Sequence, residues 1–177
     1  MNNQLLSDTK LAIELEKKGY ELYSQTSAKT TNPLAKNVFS SLADRELIHL
    51  EKIKEFYKSL SGEATLKSDW LKGTSIPMAK NELLKTITEK LKQSLSKEFT
   101  TQSDINEAYL VAEGLERDSY TFYEKISKES TDELVKKFYM ALAQEEREHY
   151  DILDETQLYL NDPQEWFRRQ EKWIVEG

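Results

Sequence analysis

Apolar residues recur along the chain every three or four positions, which is the spacing of one face of an α-helix. Four long stretches show this pattern and are predicted to be helices: residues 4–28, 33–60, 104–129 and 132–160. Asn32-Pro33 marks one link between helices, and Ser130 followed by Glu133 predicts a capping box at the start of the fourth helix. Only 5 Gly and 3 Pro interrupt the 177 residues. The pattern therefore predicts an all-α protein.

The first two predicted helices repeat in the last two at an offset of 100 residues. The residues of the first pair that recur unchanged at this offset include Ala12, Leu15, Glu16, Tyr20, Tyr23, Thr31, Leu34, Lys36, Leu42, Ala43, Glu46 and His49. Two helix pairs joined by a long crossover make a ferritin-like four-helix bundle. Residues 61–103 form this predicted crossover, with an extra helix near 78–99. The bundle is expected to span 1–162, and 163–177 to dock as a tail on the bundle or on a partner subunit.

Composition narrows the function classes. The net charge is −7 and basic residues are interspersed among acidic ones, so a nucleic acid or a membrane is not expected as a partner. Neither an 18-residue apolar stretch nor a signal-peptide pattern occurs, and a cytoplasmic protein is expected. The chain contains no cysteine, which excludes thiolate zinc sites and iron–sulfur centres within these residues. A transition-metal site must therefore use Glu, Asp or His.

Six polar residues interrupt the apolar stripes of the four helices, where an uncompensated carboxylate is strongly unfavourable. They are Glu16, Glu46, His49, Glu116, Glu146 and His149. Each Glu-x-x-His pair places a carboxylate and an imidazole one turn apart on one helix face. One Glu from each of two helices and one Glu-x-x-His from each of the others is the ligand set of di-iron and di-manganese carboxylate bundles. The four carboxylates also balance two divalent cations, and oxygen with imidazole ligands favours Fe or Mn.

A lone Glu-x-x-His in a Glu-rich chain is usually a solvated helix surface. Here both histidines of the protein lie in such motifs at the repeat offset, which favours the dimetal interpretation. Tyr23 and Tyr123 lie two turns beyond Glu16 and Glu116 on the same faces. Their hydroxyls are candidate hydrogen-bond donors to metal-binding carboxylates. The alternative, that they are core aromatics with hydrogen bonds elsewhere, stays open.

These motifs resemble the diiron domain of the rubrerythrin family over about residues 5–160. The residues that carry the resemblance are Ala12-x₃-Glu16-x₂-Gly19-x₃-Tyr23 and Leu42-Ala43-x₂-Glu46-x₂-His49, with their second-half copies. The resemblance implies that Glu46 and Glu146 bridge two iron ions, for which manganese is an alternative and zinc a substitute. It implies further that Glu16 and His49 complete one metal site and that Glu116 and His149 complete the other.

The activity that the resemblance implies is reduction of hydrogen peroxide or O₂ in a homodimer, with an external electron donor such as a rubredoxin. The six ligands would act through the metals. Full rubrerythrins carry a rubredoxin domain, whose cysteines are absent here, and commonly an additional Glu where this chain has Ser119. A stand-alone diiron domain is therefore expected. The alternatives are a ferroxidase or iron-handling protein, and a structural metal-binding bundle.

Overall fold

The computed structural model of the chain describes residues 3–62 and 101–176. Every regular element in this part is an α-helix, and the helices are α1 (Asn3–Lys29), α2 (Pro33–Ser61), α3 (Gln102–Glu129), α4 (Glu133–Asn161) and α5 (Pro163–Glu176). The all-α prediction is confirmed, and the predicted bounds of the first four helices differ by no more than two residues at either end. The predicted crossover helix near 78–99 lies outside the described residues.

The helices pack as two hairpins that face each other. Helix α1 lies along α2, and α3 lies along α4. The hairpins join where α1 packs on α3 and α2 packs on α4. Each of the four helices therefore has two principal neighbours, which is the arrangement of a four-helix bundle, and the apolar stripes of all four face a shared core.

The two hairpins also share their turn chemistry. Asn32 caps α2 and Asp132 caps α4, each through a side-chain oxygen that accepts hydrogen bonds from backbone N–H groups of the first turn. The predicted capping box at Ser130 is wrong. Ser130 is the C-cap of α3 and lies two residues before Asp132, which is the N-cap of α4. A side chain directly before the first helical residue reaches the free N–H groups, whereas the Ser130 hydroxyl accepts from the Asp132 N–H at 3.1 Å.

The repeat extends to contacts between the helices of each hairpin. The Ser27 hydroxyl donates to the backbone carbonyl of Lys36 at 3.1 Å, and Ser127 donates to that of Lys136 at 2.9 Å. These bonds join equivalent ends of α1 to α2 and of α3 to α4. The two halves are thus related in local geometry as well as in sequence.

Helix α5 is the C-terminal tail, and it contacts the bundle through α4. The ring of Trp166 meets Tyr159 edge to face, with centroids 5.4 Å apart, while Phe167 is largely exposed. None of the helices in 3–62 and 101–176 combines the length and the apolar content that a membrane span requires.

Candidate metal centre

The six polar residues singled out in the sequence are all buried in the middle of the bundle. Their exposed fractions lie between 0 and 3 % for Glu16, Glu46, His49, Glu116, Glu146 and His149. Removing an ionised carboxylate from water is costly unless a cation or hydrogen bonds compensate it. Four carboxylates in one core can therefore all be ionised only with a partner that carries a large positive charge.

Four of the six residues form a compact group. One ligand atom each from Glu46, His49, Glu146 and His149 lies within 4.8 Å of the others. The two imidazole rings are nearly parallel, at 13°, with centroids 5.2 Å apart. Helices α2 and α4 supply these side chains because each Glu-x-x-His sequence presents both groups on the face that meets the opposite helix.

The remaining two carboxylates flank this group from α1 and α3. Glu16 Oε2 lies 3.2 Å from His49 Nδ1, and Glu116 Oε2 lies 3.6 Å from His149 Nδ1. Each outer carboxylate thus stands beside the histidine of its own hairpin. The structure brings together all six residues that the sequence singled out, and it divides them into a Glu16–His49 half and a Glu116–His149 half.

Several polar atoms of the cluster make no hydrogen bond to the described residues. They are Glu46 Oε1, Glu116 Oε2, Glu146 Oε1 and both ring nitrogens of His149. Some of these atoms approach a neighbour, as Glu146 Oε1 does His49 Nδ1 at 3.1 Å, but without hydrogen-bond alignment. A buried acceptor without a donor costs about 1–3 kcal/mol, and more when it is charged. Converging carboxylate oxygens and imidazole nitrogens of this kind fit divalent metal ions, and the donor types suit iron or manganese.

Two tyrosines hold the outer carboxylates from across the bundle. The Tyr23 hydroxyl donates to Glu116 Oε1, and the Tyr123 hydroxyl donates to Glu16 Oε1. Both hydroxyls therefore reach candidate metal-binding carboxylates, each on the helix opposite its own. One oxygen of each outer carboxylate is fixed in this way, and the other, Oε2, faces a histidine.

The charges of the cluster shift the pKa values of its members in opposite directions. Burial, followed by the charge of Glu16, raises the pKa values of Glu46 and Glu146 well above 4.5. Burial is the largest influence on Glu16 and by itself would raise its pKa, but the hydrogen bonds with His49, Glu46 and Tyr123 and the charge of His49 together outweigh it, and the pKa is lowered. Burial and the nearby carboxylates raise the pKa values of Tyr23 and Tyr123 well above 10, so both phenols remain protonated donors.

Sequence reasoning missed Glu145, which contacts the metal-centre candidate from outside. Glu145 Oε2 lies 2.5 Å from His49 Nε2, and its Oε1 accepts from Lys52 Nζ at 3.1 Å. Glu145 adjoins Glu146 on a helix with many charged residues, so the sequence pattern indicates an ordinary solvated side chain. Its counterpart in the first half is Arg45, so the repeat gave no signal for it.

Gly19 makes room for one of the central carboxylates. A Cβ atom at this position would lie 2.9 Å from Glu46 Oε2 and 3.0 Å from Glu46 Cδ. Real Cβ atoms essentially never show the first distance, and the second is tighter than most contacts, so a larger residue at position 19 would shift the carboxylate. The absence of a side chain at Gly19 is what lets Glu46 occupy its place beside α1.

A cavity connects the cluster with the surface between α3 and α4. It has a volume of about 300 Å³ and is lined by Glu116, Arg117, Tyr120, Glu146, Arg147, Tyr150 and Asp151. The two glutamates are buried, whereas both arginines and Asp151 are exposed. The buried carboxylates therefore form the inner end of a path that begins at charged surface residues.

Comparison with known proteins agrees with this geometry. The family model described as Rubrerythrin matches residues 10–157, a range that includes all six clustered residues. No match was found among curated proteins or among solved structures. Because the family model covers most of the chain, the protein belongs to the rubrerythrin family.

Proposed function

We propose that the protein is a diiron-carboxylate oxidoreductase that reduces hydrogen peroxide or O₂ with electrons from an external donor protein. The observation that carries the proposal is the buried cluster, in which three carboxylate oxygens and the ring nitrogens of His149 have no hydrogen-bond partner among the described residues. The family match supports a carboxylate-bound dinuclear centre. Within the given sequence there is no cysteine, so an iron–sulfur donor has to be a separate centre.

The proposed ligand set follows the two halves of the cluster. Glu46 and Glu146, from the facing helices α2 and α4, would bridge the two ions. Glu16 with His49 would complete one site, and Glu116 with His149 the other. The contacts of each histidine with the outer carboxylate of its own hairpin, at 3.2 and 3.6 Å, support this division.

When held by these residues, a pair of ferrous ions would supply two electrons, and with two protons these convert one hydrogen peroxide molecule to two water molecules. The protein contributes buried ligands in fixed positions. Tyr23 and Tyr123 keep one oxygen of Glu116 and of Glu16 in place through hydrogen bonds. Because both hydroxyls remain protonated, they hold the carboxylates without adding charge to the core.

A small substrate fits the access that the structure offers. The cavity between α3 and α4 reaches Glu116 and Glu146 from the surface, and peroxide or O₂ is far smaller than its volume of about 300 Å³. The surrounding core is closed by tightly packed aromatic and aliphatic residues. This combination favours a reaction with a small molecule inside the bundle, with electrons arriving from a partner outside it.

The proposal is tested by metal analysis followed by turnover. The purified chain, loaded with Fe(II), should hold about two ions per molecule, as expected for a six-ligand dinuclear site. It should consume hydrogen peroxide when a reduced rubredoxin is supplied. His49→Ala and Glu146→Ala should each lower the metal content sharply, whereas Glu148→Ala, an exposed position on the same helix, should not.

Unchanged stoichiometry in both ligand variants would show that the metal is bound elsewhere. Full loading with no peroxide or O₂ turnover would contradict the oxidoreductase function. In that case, oxidation of added Fe(II) beyond two equivalents would favour the iron-handling alternative. A loaded protein that oxidises no added Fe(II) would favour the structural alternative.

A further inference from the structure

The two halves of the candidate metal centre differ in what lies behind their histidines. In the Glu16–His49 half, the Nδ1 of His49 faces the cluster and Nε2 points outward to Glu145 at 2.5 Å. Lys52 holds Glu145 in turn, with Nζ to Oε1 at 3.1 Å. Glu145 is half-buried, so its hydrogen bond to the ring is partly shielded from water. Lys52, Glu145 and His49 thus form a hydrogen-bonded chain between α2 and α4, which we call the Lys–carboxylate–His relay.

The Glu116–His149 half has no such relay. Nδ1 of His149 also faces the cluster, 3.2 Å from Glu46 Oε1, but within residues 3–62 and 101–176 its Nε2 has no hydrogen-bond partner. The repeat explains the difference. The positions equivalent to Glu145 and Lys52 are occupied by Arg45 and Ile152, and an arginine cannot accept a hydrogen bond from an imidazole N–H.

A carboxylate behind a metal-binding histidine has a defined effect. It accepts the N–H of the outer ring nitrogen, selects the tautomer whose inner nitrogen carries the free electron pair, and fixes the ring orientation. Loss of such a partner typically lowers metal affinity by about 10- to 100-fold. The ring of His49 is therefore already oriented before a metal binds, whereas no residue of 3–62 or 101–176 orients the outer nitrogen of His149 in this way.

The access path also differs between the halves. The cavity between α3 and α4 ends at Glu116, which belongs to the His149 half, and at the shared Glu146. Solvent reaches the second half by this path, and a small solute would arrive there first. The half that lacks the relay is therefore also the half that lies next to the cavity.

We propose that Glu145 is a positioning residue that makes the two metal sites unequal: the Glu16–His49 site holds its ion tightly, and the Glu116–His149 site, next to the cavity, is weaker and exchanges with solvent. This inference rests on the proposed dinuclear centre. It assigns the two ions different roles. The inner ion stabilises the bundle, and the cavity-side ion receives exogenous small ligands.

The test measures the two metal affinities separately. The full chain loaded with Fe(II) under anaerobic conditions is equilibrated with increasing chelator, and the remaining iron is counted. Wild type should release its two ions at clearly separated chelator concentrations. Glu145→Ala should weaken the tighter ion by about 10- to 100-fold, towards the weaker one, and should leave the weaker affinity nearly unchanged.

Two variants separate the hydrogen bond from charge and folding. Glu145→Gln keeps an acceptor oxygen for the His49 N–H and should preserve most of the tighter affinity. Glu148→Ala removes one negative charge from an exposed position of the same helix and should behave as wild type. A charge effect alone would make Glu145→Gln resemble Glu145→Ala, and that result would overturn the positioning role.

A second measurement does not depend on affinity. In the Zn(II)-loaded chain, NMR of the imidazole groups should show one Nε2–H protected from solvent exchange, and this signal should be absent in Glu145→Ala. Equal release of both ions in wild type, or an unchanged tighter affinity in Glu145→Ala, would overturn the inference while leaving the dinuclear centre intact. Loading of fewer than two ions would instead refute the proposed centre itself.

Discussion

The hydroxyl of Tyr23 on α1 donates a hydrogen bond to Glu116 on α3, on the opposite hairpin. The equivalent bond runs from Tyr123 to Glu16, so the two interactions cross between the hairpins. Each hairpin thereby supplies the donor that fixes the other hairpin's outer carboxylate. The pair links the orientation of the metal-binding candidates to the docking of α1 on α3.

Tyr23→Phe should destabilise the protein and weaken metal binding, because it leaves Glu116 Oε1 buried without its donor. Hydrogen bonds to charged groups contribute about 1.5–3 kcal/mol, which sets the expected loss in the free energy of unfolding. Chemical denaturation and metal titration measure the two effects. Tyr109→Phe is the matched control, since Tyr109 is equally buried and its hydroxyl has no hydrogen-bond partner among the described residues. A loss of similar size in the control would attribute the effect to packing.

Gly19→Ala should lower metal content without unfolding the helix. The added Cβ would meet Glu46 Oε2 at 2.9 Å and push this carboxylate out of place, although alanine favours a helix by up to about 1 kcal/mol. Gly114→Ala provides the control, because no atom of the described residues outside its own stretch of helix lies within 4 Å of the added Cβ. Metal analysis of both variants, with thermal melts, separates the outcomes. Full metal occupancy in Gly19→Ala would contradict the tight fit of Glu46 against α1.

Metal removal should reverse the pH dependence of stability. In the metal-free protein the raised pKa values of Glu46 and Glu146 mean that the folded state binds protons which the unfolded state, near 4.5, has released. Its free energy of unfolding therefore increases as pH falls from neutral towards that value. The pKa of His49, raised above 6.5, acts in the same direction: its contribution is present below 6.5 and lost as pH rises through the folded value. Glu16, whose pKa is lowered, loses its contribution only below 4.5.

The loaded protein should behave in the opposite way, because bound carboxylates and imidazoles are deprotonated and protons compete with the metal. Each ion should add about 2.7 kcal/mol when free metal exceeds its Kd by 100-fold, and this gain should disappear as the pH falls. Denaturation of both forms between about pH 5 and 7 tests the sign of the two slopes. Parallel slopes would be inconsistent with carboxylates at the centre of metal binding.

Ser119→Glu should place a fifth carboxylate one turn beyond Glu116, in a buried position. The metal-free variant should lose at least about 1–3 kcal/mol of stability, the cost of burying a polar group without a partner. In the loaded protein the new carboxylate is an additional ligand, and we expect faster peroxide reduction than in wild type. Melting curves of both forms and single-turnover oxidation by peroxide provide the measurements. Equal rates would show that the residue at 119 does not limit the reaction.

Periodicity and the repeat were sufficient to predict the four helices and to single out the clustered residues. A carboxylate and an imidazole three positions apart share a helix face, and the repeat offset gives both copies the same orientation. Burial of His49 and Glu146 then follows from their places in apolar stripes. Helices and burial could be predicted because the spacing signal is local to one helix and the repeat shows it twice.

The contacts that the sequence did not predict join different helices. A tyrosine two turns beyond a glutamate is about 10 Å further along the helix axis, so Tyr23 reaches Glu116 across the bundle and not Glu16 on its own helix. Glu145 meets His49 only because α2 and α4 pack closely. Neither relation has a spacing that a sequence displays. The cap at Asp132 was missed because Ser130 with Glu133 matches the capping-box motif, whereas Asp132, followed by Val135 at the third helical position, does not.

The crossing tyrosine bonds have a consequence for folding kinetics. They join residues 93 and 107 positions apart in the chain, whereas the turns at 30–32 and 130–132 join helices that are adjacent in sequence. Contacts that close short loops form before those that close long ones. Each helical hairpin should therefore assemble early with half of the candidate metal ligands, and the complete set should come together only when the hairpins dock. Metal uptake would then mark the last step of folding. Variants whose hairpins form normally but dock poorly should therefore bind metal slowly.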